Sequence, residues 1–103
     1  RMIRKQQLGN IIQITNRMVV LADAGAWEDL PSLQTERETL ISTFFESAVT
    51  PNEIGWVEAG LRELLELERT IVQKTNSQFQ VVSAHLQKLR DGKKAYEAYE
   101  QNK

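Results

Sequence analysis

The residues able to carry chemistry are few, and their spacing argues against a catalytic arrangement. His85 is the only histidine and there is no cysteine, so a cysteine nucleophile, a thiolate metal site and a disulfide are all excluded. A general acid or base needs a partner that sets its pKa inside a cleft. His85 has no carboxylate or second histidine at i±3 or i±4, and one imidazole does not make a metal site. The carboxylates Glu58, Glu63, Glu66 and Glu68 alternate with Arg62 and Arg69. Glu58–Arg62 and Arg62–Glu66 are i, i+4 pairs of the kind that line a solvated helix face. Glu68 differs, because it falls on the apolar seam of its segment. A buried carboxylate needs a partner, and Arg37, between Leu33 and Leu40, is the candidate cation. Two readings are open: an Arg37–Glu68 pair that sets helix register, or two side chains that each snorkel to water. Neither is catalysis, so no enzyme activity and no cofactor is expected.

The elements that position these residues are helices. Leu8, Ile11, Ile12, Met18, Val19 and Ala22 recur at helical spacing, with Ile14 and Leu21 on a second face, which predicts a helix over 2–22. "DAGA" then supplies turn chemistry at Asp23 and Gly25. A second helix over 27–47 carries Trp27, Leu30, Leu33, Leu40, Ile41, Phe44 and Phe45, with Pro31 tolerated near its first turn. Trp27 reads as a structural peg at the start of this helix, beside Ile71 or Val72. "TPNE" (Thr50–Glu53) is a helix start: Thr50 caps, Pro51 has its φ already helical, and Glu53 completes a capping box. The third helix runs over 51–90 through a near-heptad of apolar positions, with Gly55 and Gly60 each weakening it by about 1 kcal/mol. A short C-terminal helix, 93–101, follows Gly92.

No segment alternates with period two, so the expected fold is all-α: an antiparallel up-down-up bundle in one domain, 1–103, with a long third helix and a short C-terminal one. The lengths do not match. Helices of about 20 residues span ~30 Å, whereas 40 residues span ~60 Å. The third helix must therefore overhang, and Phe79, Val82, Leu86 and Leu89 project from the uncovered part. Such a stripe is an aggregation liability unless something covers it. The candidates are the tail folding back through Tyr96 and Tyr99, a second copy of the chain, or a partner helix. Ile71 and Val72, where the covered part ends, complete the expected partner-binding set.

Composition narrows the partner. Thirteen Lys+Arg against fourteen Asp+Glu give a net charge of −1, without the basic footprint that nucleic-acid binding needs. The densest apolar run, "MVVLA", is far short of the ~20 residues that span a bilayer, and no signal-peptide pattern opens the sequence. Nucleic acid and membrane insertion are disfavoured, and the absence of cysteine makes the cytosol the expected compartment.

Two stretches, "WEDLPSLQTERETLISTFF" and "LRELLELERTIVQKTNSQFQVVSAHLQKLRDGKKAYEAY", resemble the flagellar type III export chaperones of the FliT family. The succession Trp27, Leu30, Leu33, Arg37, Leu40, Ile41 and the ending Leu89, Gly92, Lys93, Lys94, Ala95, Tyr99 carry most of the likeness, which extends from about Asn10 to Tyr99. The resemblance implies a cytoplasmic chaperone that keeps the filament-cap protein FliD from premature assembly and delivers it to the export apparatus. It also implies a long third helix that offers the binding surface and a C-terminal helix able to cover it. Some relatives contact the export ATPase complex or a flagellar transcriptional regulator. The expected client contact is an amphipathic helix from the C-terminal part of the cap protein, docked between the second and third helices. The alternative is a structural protein that homodimerises through the third helix.

Overall fold

The computed structural model describes residues 3–102; the expected start of the first helix at Met2 lies outside them. Helix α1 spans Arg4–Asp23, α2 Leu30–Phe45 and α3 Ile54–Gln101, with single 3-10 turns at Trp27–Asp29 and Pro51–Glu53 leading into α2 and α3. The molecule is a rod of 77 × 22 × 22 Å. Its length is that of α3, whose 48 residues span ~72 Å at 1.5 Å each.

The bundle follows from a 3–4 spacing on each helix. Leu8, Ile11, Thr15, Met18 and Ala22 are the buried seam of α1, with Ile14 beside it. Leu33, Arg37 and Phe44 are buried on α2, and Val57, Gly60 and Ile71 on α3. Alternating steps of three and four residues keep one stripe facing its neighbours along the helix. Two clusters result. Leu8, Ile11, Phe44 and Val57 form one near the start of α1, with Trp56, Leu40, Ile41 and Val49 packed on it. Ile14, Met18, Leu33 and Ile71 form the other near its end. Phe44 is fully buried and meets the edges of Phe45 and Trp56, its ring 5.0 and 6.3 Å from theirs.

Helix α1 packs against both α2 and α3. The last two meet through side chains, leaving an open groove lined by Arg37, Ile41, Leu61, Leu64, Leu65 and Glu68. Close approach of α1 to α3 depends on Gly60. A β-carbon there would stand 2.5 Å from Leu8 Cδ2, and Leu8 is buried. This glycine is therefore a seam position as well as a weak point of the helix.

The connections are locally determined. Gly25, at φ 74°, ends α1 in a Schellman motif: Ala26 N–H donates to Leu21 O at 2.9 Å and Gly25 N–H to Ala22 O at 3.2 Å. Thr50 and Glu53 form a capping box, in which Thr50 N–H donates to Glu53 Oε1 at 3.0 Å. Arg4 draws the three helix ends there together. It pairs with Glu53 at 3.0 Å, donates to the carbonyls of Phe44 and Ser47, and lies over the Phe44 ring.

The long third helix corrects the expected C-terminal architecture. No separate short helix is present among the described residues, because α3 continues through Gly92 to Gln101. One glycine costs a helix about 1 kcal/mol, too little to break a run flanked by strong helix formers. Gln87–Asp91, at 3.0 Å, and Lys93–Glu97, at 3.9 Å, are i, i+4 pairs on either side of it.

Candidate partner-binding surface

The site is built by the mismatch in helix length. Helix α1 ends at Asp23, whose carboxylate pairs with Lys74 Nζ at 2.7 Å. That hydrogen bond, and then the ammonium charge, hold the Asp23 carboxyl below its ordinary pKa. From Thr75 onward every described residue of α3 is exposed. Trp27 is half-buried and shares a shallow depression with Gly25, Lys74, Ser77, Gln78 and Val81. It therefore stands farther along α3 than Ile71, close to where the covered part of the helix gives way to the uncovered part.

The expected contact residues divide into two groups. Ile71 is buried in the core with Ile14, Met18 and Leu33, so its side chain belongs to the bundle and is withdrawn from the contact surface. The others are all exposed: Val72, Val82 and Leu86 about half, Phe79 and Leu89 each 70%. Tyr96 and Tyr99 lie on the same continuous helix, also exposed, and do not fold back over the stripe. Sequence reasoning missed Leu61, Leu65 and Val81, which are also exposed. Leu61 and Leu65 extend the apolar surface back into the groove between α2 and α3. The signal for Leu61 and Leu65 was a succession at one step of four and then steps of seven residues through Leu61, Leu65, Val72, Phe79 and Leu86; Val81 lies outside it.

The ionic residues surround this surface. Arg37 is buried, and its guanidinium donates to Glu68 Oε2 at 2.8 Å, Gln34 Oε1 at 2.6 Å and, more weakly, Thr15 Oγ1 at 3.5 Å. Glu68 is only part-buried, so the pair joins α2 and α3 at the groove's floor while its carboxylate still meets water. Glu58–Arg62 is an exposed pair within one helix turn. Glu66 pairs with Arg69, not Arg62, also within a turn and in the open. Such pairs contribute little to stability. Thr50 N–H and then Arg4 hold the Glu53 carboxyl below its ordinary pKa. Among the described residues, no group of three or more His, Asp or Glu side chains is placed to hold a metal ion. No helix there is long and apolar enough to cross a membrane.

The whole surface, from groove to overhang, lies within residues 5–102, and over that span the chain matches the family described as "Flagellar protein FliT". The chain belongs to the FliT family. FliT proteins are chaperones of flagellar assembly without enzymatic activity. Comparison with curated proteins and with solved structures finds no match. For a FliT protein, the feature of note is an apolar stripe that nothing else in the described chain covers.

Proposed function

We propose that this chain is a cytoplasmic flagellar export chaperone that binds the C-terminal helical part of the filament-cap protein FliD, prevents its premature assembly and delivers it to the type III export apparatus. One observation carries the reading: a FliT-family chain exposes Val72, Phe79, Val82, Leu86 and Leu89 on a helix that outruns its own bundle. Helix-in-groove recognition uses apolar anchors at three- to four-residue spacing, and this stripe supplies them. The groove between α2 and α3, with Leu61 and Leu65 on its wall, continues the same track into the bundle. A client segment that folds on docking keeps its own apolar face away from other cap subunits while it is held. Tyr96 and Tyr99 extend the contact, their rings supplying apolar area and their hydroxyls remaining in water. Trp27, Arg37 and Glu68 act structurally, holding α2 against α3 so that the groove keeps its width.

Calorimetric titration with a peptide from the C-terminal end of FliD tests the placement. Leu86→Asp is expected to weaken binding at least tenfold without lowering the unfolding temperature, because Leu86 makes no core contact. Unchanged affinity would place the client elsewhere.

A further inference from the structure

We propose that Glu68 selects the client segment: the docked helix brings a hydrogen-bond donor, from a Lys, Arg, Gln or Asn side chain, to the free oxygen of the Glu68 carboxylate, and this contact sets its register in the groove between α2 and α3. The inference rests on the reading of that groove as part of the client surface. It goes further in naming the residue that discriminates among client segments and the chemistry it demands.

The first observation is a carboxylate that is only half used. Glu68 Oε2 accepts from Arg37 at 2.8 Å, and among the described residues no donor meets the other oxygen. The Arg37 side chain is 9% exposed and that of Glu68 45%, so the pair is closed at its cation and open at its carboxylate. Arg37 has nothing more to give the groove. Its two terminal nitrogens already serve Glu68, Thr15 and Gln34, and its Nε is buried. A helix laid over Glu68 strips water from the free oxygen, which is costly unless a new hydrogen bond replaces it. A donor on the docked helix restores that bond, and an unbroken apolar face does not.

The second observation is position. Leu61, Leu65, Glu68 and Val72 follow one another at steps of four, three and four, the spacing that a single packed helix meets. Two depressions on this wall, one reaching back to Ile41 and Leu61 and the other on to Val72, share Leu65 and Glu68. Glu68 is the one carboxylate lining either, with exposed Leu65 and Val72 on its two sides. Arg69, beside the second depression, is taken up by Glu66. One polar position within an apolar seam fixes the register of paired helices at a cost in affinity. A slip of one turn would carry the donor away and set an apolar side chain on the carboxylate, so amphipathic helices without the donor are rejected.

Glu68→Gln tests this with almost no change of shape. An amide has one acceptor oxygen, which keeps the bond from Arg37, and its NH2 then takes the place of the free acceptor. Calorimetric titration with full-length FliD is expected to show binding at least tenfold weaker, with thermal unfolding confirming the fold. Replacing each Lys, Arg, Gln and Asn of the docked FliD helix in turn by Met is expected to reveal one position whose loss weakens binding to the unaltered chain but not to Glu68→Gln, the signature of a coupled pair. Arg37→Met with Glu68→Leu, which removes both charges together, is a second variant with the same expected weakening. Undiminished affinity in either folded variant, or no coupled position in FliD, would overturn the role of Glu68 while leaving the chaperone reading intact. Failure of the unaltered chain to bind FliD at all would overturn that reading and this one with it. Self-association that Glu68→Gln abolishes, with FliD binding unchanged, would overturn the client contact by assigning the donor to a second copy of the chain.

Discussion

Arg37 is the residue whose environment is hardest to replace by analogy. Its guanidinium is buried, bonded to Glu68, Gln34 and Thr15, and its Nε is buried without a hydrogen-bond partner. Removing one partner of a buried cation strands the charge, whereas removing the cation and keeping its volume removes the desolvation cost as well. Glu68→Ala is therefore expected to destabilise by about 1–3 kcal/mol, and Arg37→Met by less than Glu68→Ala. Chemical denaturation of the two variants side by side measures the order, and the reverse order would mean that the ion pair itself stabilises the bundle. The seam position of Arg37 was legible in the sequence. That its partner would be half in water was not, because accessibility depends on the distance between α2 and α3.

At the scale of the element, α3 decides the character of the molecule. Its start was readable residue by residue, from Thr50, Pro51 and Glu53, because capping is local chemistry. Its end was not, because Gly92 reads equally as a break or as a weak link. The helix passes through it, and a β-carbon at Gly92 would meet nothing within 4 Å. Gly92→Ala is thus expected to stabilise the distal part of α3 by about 1 kcal/mol. Slower amide hydrogen exchange over 88–101, with no change in the bundle, is the measurement that checks it. The packing role of Gly60 was not legible for the complementary reason: its lack of a side chain matters to Leu8 of another helix, which no local rule reveals.

Across the whole molecule, two ion pairs tie the ends of the short bundle, Arg4–Glu53 at one and Asp23–Lys74 at the other. Both carboxyls are held below their ordinary pKa in the folded chain. A carboxyl with a depressed folded pKa contributes stability above its unfolded pKa and loses it as pH falls through the folded one. The thermal midpoint is therefore expected to be flat from neutrality to about pH 5 and to fall below about pH 4, where unfolded Glu and Asp take up protons first. Melting curves across that range test it. Neutralising the pairs with Glu53→Gln and Asp23→Asn should flatten the dependence.

The sequence by itself determined the helical class, the two connections, the excess length of α3 and the apolar stripe, since each follows from local propensity or from periodicity along one chain. It also carried the family likeness, since the match extends over the same residues. The tertiary structure alone decided which side of each stripe is used. Ile71 and Val72 are adjacent and alike in sequence, yet Ile71 packs on α1 and Val72 faces water, because a helix turns 100° between them and only the position of α1 selects the buried side. It also decided that α1, and not α2, is the close neighbour of α3, which leaves the groove between α2 and α3 open.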